Sequence, residues 1–571
     1  MYYYSGSKGD HCMNKYFKLS ASFLLAASML AGCTSTSSSG SSASEEELSV
    51  LTGEADGYGG TITATVTVDA DGTIIDLELT GEGETPTVGG EALPVLQEAI
   101  IEAGTIEGVD GVSGATWTST GVFNAIKDAL GIEIEEAVDD DEDDEPVAAS
   151  GMKAGIGVVS TPRLGPGKDA TETPVYSLNE VVAYVLLDED DRIVDLEVDI
   201  VEFITPNHGE KEDNILAVWP GQSYNADMDF DGTIEGVLEE TEDGFMERIP
   251  DFQTKREKGS AYKLNSGTFE DEMDIYEDFF TGMDQDEILE AIDTLFSDVN
   301  GRPLNGNSTN DEDVAKREAL SDEELEEIDT LAGATISIND SHGDMVSAIL
   351  LAMDNAEEID SDEEIASIGL GIETTPRLGP GKDDQEVSVY SFNVVVAGTA
   401  LNADDEVIDT RVDILEIITP NHDGAHDNRF TGWPGQSYNG DEDGDGKVDG
   451  AIEQTEETFL EQTSDYQTKR MLGNNYKLNS GTFADEMDIY QSFFAGKTAD
   501  EIQEAFDTLF SDVNGRPLNG NSTNDEDVAK REALSDEELE EIDTLAGATI
   551  SISDSHGDML GAILESIANA K

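Results

Sequence analysis

Residues 110–119 read D-G-V-S-G-A-T-W-T-S, a turn of small residues that delivers one hydroxyl, Thr116, ahead of an apolar-periodic segment. Two further copies, D-T-L-A-G-A-T-I-S, lie at 329–337 and 543–551 and present Thr335 and Thr549. A threonine hydroxyl is a weak nucleophile, so group transfer to it needs a second protein to activate it and an exposed, narrow loop to enter that protein's site. Gly114 and Ala115 keep the approach to Thr116 uncrowded. The plain alternative is a helix-capping turn.

A second chemistry is metal binding. Asp227, Asp229, Asp231 and Glu235, with Gly232 and Ile234, repeat as Asp441, Asp443, Asp445 and Asp449, with Gly446 and Val448. Carboxylates at positions 1, 3 and 5, glycine at 6 and an aliphatic residue at 8 match a calcium loop. The glutamate expected at position 12 is missing, and Glu239 and Glu453 fall one residue later, so the loop must be modified. The alternative is a turn in a chain that is acidic everywhere. His208 and His422 follow T-P-N, and His342 and His556 follow the repeated threonine loops, with proton handling or surface roles open to them. Arg163/Lys168, Lys255/Arg256 and their copies Arg377/Lys382 and Lys469/Arg470 are expected to pair with nearby carboxylates. Trp219-Pro220-Gly221 and its copy read as turns at the edge of a core. No dinucleotide fingerprint, P-loop, serine triad or haem-attachment motif is present, so nothing points to NAD or haem.

The elements that must position these residues follow from periodicity. Ile62, Ala64, Val66 and Val68 alternate along one strand, Asp71-Gly72 turns the chain, and 73–80 returns it as a hairpin. Residues 94–103 have helical periodicity, and Val122, Ile126 and Leu130 mark the buried face of a helix after the first loop. Downstream, T-P-R-L-G-P-G-K-D at Thr161 recurs at Thr375, a spacing of 214 residues that T-P-N-H and W-P-G-Q-S-Y-N keep, and 293–338 are identical to 507–552. A period this long means a repeated domain. Each copy reads as a hairpin (181–187 with 193–201; 394–401 with 407–414), a long insert (about 206–285 and 420–499), a helix, the threonine loop and a last helix. The last helix carries Met345, Ile349 and Met353, or Met559, Ile563 and Ile567, with two residues added before it. The expected class is α+β: three α+β domains, each an antiparallel hairpin or sheet packed with helices, the last two with long inserts. The expected boundaries are 49–132, 151–356 and 365–571, with acidic linkers at 133–150 and 357–364.

The chain carries 127 Asp+Glu against 30 Lys+Arg, a formal charge of −97, while hydrophobic residues make up 37%. Such a field excludes nucleic acid as a partner and favours cations. A surface adapted to salt is the bland account of the acidity. Lys15 and Lys18 precede a short apolar core at 19–31 and then L-A-G-C, ending at Cys33. That core is too short for a stable transmembrane helix and fits a secretory signal over 1–33, with Met13 as the start of translation. The L-A-G-C ending resembles the bacterial lipoprotein signal, which implies lipid on Cys33. Residues 34–48 are a Ser-rich tether. With Cys33 lipidated and Cys12 ahead of Met13, no thiol remains for disulfides, metal binding or catalysis.

The first domain resembles the FMN-binding domain family of ion-pumping redox complexes and extracellular electron-transfer lipoproteins. The hairpin at 59–80, E-T-P at Glu84-Thr85-Pro86 and D-G-V-S-G-A-T-W-T-S-T-G-V carry the resemblance. It implies FMN joined by a phosphoester bond to Thr116, with Asp110, Ser113, Gly114 and Ala115 completing the motif, and a magnesium-dependent flavin transferase that uses FAD as donor. The phosphate would lie near the N-terminus of the helix expected from about Thr120, where free N–H groups and the helix dipole favour an anion, and Trp117 would offer a ring beside the flavin. The repeats keep Asp329, Gly333, Ala334 and Thr335, and Asp543, Gly547, Ala548 and Thr549, but Ala332 and Ala546 replace the serine. One to three covalent FMN groups are therefore expected, with calcium as a further candidate cofactor.

The function expected on this basis is a lipid-anchored, multi-flavin electron carrier on the extracytoplasmic face of a bacterial, Gram-positive membrane. A membrane quinol or NADH dehydrogenase system would supply electrons, and an extracellular acceptor or partner reductase would take them. That is a carrier rather than a stand-alone enzyme. Two alternatives remain: a calcium-stabilised scaffold or adhesion lipoprotein with vestigial flavin loops, and an extracytoplasmic flavin reductase of a small acceptor.

Overall fold

The computed structural model describes residues 49–56, 60–69, 73–81, 89–106, 109, 112, 116–130, 147–211, 213–262, 264, 267–306, 308, 310–340, 342–476, 478, 481–520, 522 and 524–571. The signal, Cys33, the tether, the run 133–145 and the Asp71-Gly72 turn lie outside them. The chain divides into two compact units, one up to Glu136 and one from Ala137 onward. The fold is α+β, and among the described residues no helix is long and apolar enough to cross a membrane.

In the first unit, β1 (Ser49–Asp56), β2 (Thr61–Val68) and β3 (Ile74–Thr80) form an antiparallel meander. The expected hairpin is β2 and β3, and β1 adds a third strand. Alternation on β2 places Ile62, Ala64, Val66 and Val68 in the core. Helix α1 (Gly89–Ala103) begins earlier than the periodicity predicts, with Pro94 inside it, and buries Leu93, Leu96 and Ile100. Helix α2 (Thr116–Leu130) buries Val122, Ala125 and Ile126. It lies so close to β1 that a Cβ on Gly53 would fall 2.2 Å from Ala129 N and 2.3 Å from Ala125 O, so only glycine permits this packing.

The second unit holds both repeats. After a short β4 (Val147–Ala148), the first repeat builds a longer meander from β5 (Lys153–Lys168), β6 (Pro174–Leu187) and β7 (Ile193–Ile204). Strands Ser367–Lys382, Ser388–Leu401 and Val407–Ile418 do the same in the second. The glycine notch recurs: a Cβ on Gly157 would fall 2.0 Å from Ala348 O of the last helix, Met345–Asp354, and one on Gly371 2.2 Å from Ala562 O of Met559–Ala568. The first unit and both repeats thus share one plan, a three-stranded meander whose first strand is thinned for the last helix. The acidic stretch expected as a linker contributes strands instead: Glu357–Glu358 pairs with β5, and Glu364–Ile365 with β4.

Antiparallel sheets often leave one face wet. Here β6 is buried on both faces. Val181, Ala183, Val185 and Leu187 face their own helices, whereas Tyr176, Leu178, Val182, Tyr184 and Leu186 join a core shared with the second repeat. That shared core is built reciprocally. Trp219 Nε1 donates to Phe430 O at 2.6 Å and Trp433 Nε1 to Leu216 O at 2.7 Å. Gln222 Nε2 donates to Thr431 O and Gln436 Nε2 to Ala217 O, at 2.8 and 3.1 Å. Tyr176 reaches Glu456 and Tyr390 reaches Glu242, at 3.0 and 2.8 Å. In every pair, position i meets j and the copy of j meets the copy of i, as across a two-fold axis. The tryptophans, read as edge turns, are fully buried at the centre of this contact, each with its indole N–H bonded to a carbonyl of the other repeat.

Candidate functional site

Thr116 is the first residue of α2, four residues earlier than the helix start expected near Thr120. Asp110, Ser113, Gly114, Ala115, Glu84 and Thr85 lie outside the described residues, as do the side chains of Thr116 and Trp117. What is described fits a phosphate. The first turn of α2 contains no acidic residue, so its N–H groups face no built-in anion from the helix itself. Thr118 and Ser119 are buried, and Ser119 Oγ accepts the Val112 N–H at 3.0 Å, tying the approaching loop to the helix.

The repeated loops are built differently. Asp329 lies in the last turn of the helix Asp322–Thr330 and is exposed, as is Asp543 in the copy. Leu331 and Ala334 sink into the core, and Gly333 between them takes a φ of 109°, which a β-carbon disfavours. Gly547 has the same φ, and Leu545 and Ala548 are buried likewise. Thr335 then meets a buried carboxylate: its N–H and hydroxyl donate to Glu272 at 2.7 and 2.6 Å, and the Ile336 N–H adds a third bond at 2.7 Å. Glu486 makes the same three bonds with Thr549 and Ile550. Asn305 Nδ2 donates to Ala334 O at 3.0 Å, and the Tyr276 hydroxyl to Ile336 O at 2.8 Å. Glu272 and Tyr276 stand four apart on the helix Phe269–Phe280, on one face of it. That spacing, repeated as Glu486 and Tyr490, is the sequence signal that could have found them.

Nor do these threonines open a helix. Nine residues separate Thr116 from Ala125, and thirteen separate Thr335 from Ala348, which meets the glycine notch as Ala125 does. Four residues are therefore added, not two. They belong to a small hairpin, Asn339–Asp340 with Gly343–Asp344, and Asp344 caps the last helix by accepting the Ser347 N–H.

The acidic loops sit between the paired strands Ser223–Ala226 and Gly236–Glu239, and between Ser437–Gly440 and Gly450–Glu453. In the first, oxygens of Asp227, Asp229, Asp231 and Glu235 all lie within 4.8 Å of one another. In the second, only Asp441, Asp443 and Asp449 do, because Asp445 pairs with Lys447, a residue that is threonine in the first repeat. Desolvation opposes ionisation of Asp441, but N–H donors from Gly446, Asp445 and Gly444, with Arg429 nearby, hold its carboxyl below the usual range. Glu239 and Glu453 lie on the returning strands, outside both clusters. A cavity of about 400 Å³ opens beside the first loop, lined by Met228, Phe230, Leu238, Phe252 and Arg248 among others.

Most of these basic residues pair as expected: Lys255 and Arg163 approach Glu202 at 3.7 and 3.8 Å, and Arg256 binds Glu277 at 2.5 Å. His208 binds Asp213, His342 faces Arg163, and His422 and His556 bind Asp427 and Asp554. None of the four histidines meets a repeated threonine loop through these bonds.

Comparison with known proteins supports a flavin. Residues 57–131 match the family model described as FMN-binding domain, a segment that runs from the β1–β2 turn to the end of α2. A 222-residue stretch is 26% identical to a chlorophenol reductase from Desulfitobacterium hafniense, an alignment that covers 37% of this chain and 60% of that protein.

Proposed function

We propose that this chain is a flavin-bearing redox lipoprotein in which FMN is phosphoester-linked to Thr116. One observation carries the reading. The threonine singled out by the D-x-x-S-G-A-T pattern is the first residue of a helix with no acid in its first turn, inside the segment matched by the FMN-binding family. When bound, FMN supplies the electron-accepting and electron-donating ring, while the chain supplies attachment, spacing and charge. Lipid on Cys33 would hold the protein on the extracytoplasmic face of the membrane. Electrons would come from a membrane quinol or NADH dehydrogenase system and pass to an extracellular acceptor or a partner reductase. Covalent attachment suits that location, where a dissociable cofactor is lost by dilution. Calcium in the four-carboxylate loop of the first repeat would brace the second unit.

The test is co-expression with a flavin transferase, followed by in-gel fluorescence and intact mass. One FMN-sized adduct that disappears in Thr116→Ala is the expected result. Absence of any adduct on the native chain would sink the proposal.

The similarity to a chlorophenol reductase supports a second reading, in which a small aromatic acceptor binds this chain itself. The cavity beside the first acidic loop has Phe230 and Phe252 for a ring and Arg248 for a phenolate. Equilibrium dialysis with a chlorophenolate, native against Arg248→Gln, separates this reading from the pure carrier.

A further inference from the structure

Each repeat commits a buried carboxylate to its threonine loop. Glu272 and Glu486 are each 1% exposed. The groups that converge on them are two backbone N–H donors and the threonine hydroxyl, a set suited to an anion. We propose that Glu272 and Glu486 determine which threonines can receive flavin: they fill the anion position of both repeated loops and leave Thr116 as the single acceptor. This rests on the flavin reading above and goes beyond it in fixing the number and place of the adducts.

Three features argue for an occupant rather than a helper. Transfer from FAD forms a bond from the threonine Oγ to the flavin-side phosphorus and breaks the phosphorus–oxygen bond to AMP, which leaves. The hydroxyl proton passes to solvent, and no electrons move. The arriving pyrophosphate is an anion, and at Thr335 and Thr549 it would meet a fixed negative charge 2.6 Å from the attacking oxygen. The backbone donors that would hold the new phosphate are already used. The loop also cannot easily swing outward, because Leu331 and Ala334 are buried and Asn305 and Tyr276 hold the carbonyls on either side of Thr335. Thr116, by contrast, is the first residue of a helix whose first turn has no acid. A carboxylate acting as general base would predict the opposite pattern, with adducts on the native repeats that vanish when the carboxylate is neutralised.

The experiment is peptide-level mass mapping of the full chain after co-expression with the transferase. It compares the native sequence, Thr116→Ala, and Thr116→Ala combined with Glu272→Ala and Glu486→Ala or with the size-preserving Glu272→Gln and Glu486→Gln. The expected result is FMN on Thr116 alone in the native chain, none in Thr116→Ala, and adducts on Thr335 or Thr549 once the carboxylates are removed. Adducts on either repeat of the native chain overturn the proposal while leaving the flavin reading intact. A cooperatively melting carboxylate variant that stays bare also overturns it. If the alanine variants do not fold, the glutamine pair and the native map decide. A native chain bare at all three threonines removes the flavin reading and this inference with it.

Discussion

The two repeats are identical over long stretches, yet they differ where they touch. Tyr184 of the first repeat lies against Gly398, its own counterpart in the second; a Cβ on Gly398 would fall 2.2 Å from the Tyr184 ring. Lys571 reaches Glu197, Glu270 and Asp274 at 3.8, 3.5 and 3.4 Å. The counterpart of Lys571 is Glu357, which binds Arg411, the counterpart of Glu197, at 2.8 Å. The same contact is thus made twice with its charges exchanged. Two copies of the first repeat would set tyrosine against tyrosine and Glu357 against Glu197. Two copies of the second would leave a void at Gly398 and set Lys571 against Arg411. Each half complements the other and not itself, which is how a duplicated, once-symmetric contact becomes specific.

The largest expected effect is at the axis. Tyr184→Ala leaves a fully buried cavity and should destabilise the second unit by about 3–5 kcal/mol. Gly398→Leu overpacks the same spot and should cost about 1–3 kcal/mol or more. If the two positions share one space, the double variant loses less than the sum, as a double-mutant cycle in denaturant would measure. Additive losses would break the comparison.

Next come the exchanged ion pairs, which differ in burial. Arg411 is 6% exposed and also binds Asp409, itself 1% exposed, at 2.8 Å. Arg411→Met strands that carboxylate and should cost about 3–5 kcal/mol. Lys571 is half-exposed on its carboxylates, so Lys571→Ala should cost less than about 1 kcal/mol. Equal losses would mean that burial is not what separates the two pairs.

These differences were the least legible part of the chain. The β2–β3 hairpin, the face of β2 and the buried stripe Val122–Ile126 could be read locally, because strand and helix periods need only neighbouring residues; β1, which completes the meander, was not read. The position of Trp219 could not, because two of the three rings against it, Phe392 and Phe430, lie about two hundred residues away, and nothing near it announces a partner surface. The local geometry of the repeated threonine loops was hidden for a different reason. A-G-A-T matches the first loop in letters, but Asn339–Asp340 then pairs with Gly343–Asp344 where the first loop runs straight into a helix, and Glu272 lies sixty-three residues upstream. Of the acidic loops, the one at 441–449 reads as the better calcium site by its D-G-D-G. There Lys447 pairs with Asp445, which leaves three carboxylates gathered in that loop against four in the first.

A third difference is a buried acid. Glu180 lies on the β6 face that meets the second repeat, where its counterpart is Val394. Burial pushes its carboxyl up to about 8, and the Ser160 hydroxyl bond at 2.5 Å only partly offsets this. Burial also raises Glu373 to about 7 and Glu565 to about 8, with neighbouring carboxylates adding to both. Such groups hold a proton more tightly in the folded than in the unfolded chain. Their contribution is complete below the unfolded value of 4.5 and is lost as pH rises toward 8. The second unit should therefore unfold at lower denaturant at about pH 8.5 than at about pH 5.5, and Glu180→Val should flatten that slope. A slope unchanged in Glu180→Val would remove this acid from the account.

The last comparison separates the two acidic loops. At about 1 mM calcium, a site with a Kd of about 10⁻⁴ M adds about 1.4 kcal/mol to the folded state. Chelation should lower the melting temperature of the native chain by a few degrees. Asp229→Asn, in the four-carboxylate loop, should abolish most of that shift, and Asp443→Asn should leave most of it, because the second loop has already set Lys447 against one of its carboxylates. Equal responses would mean that the lysine moves aside when calcium arrives. In that case the two loops, unlike the residues at the axis, remain functional copies of each other.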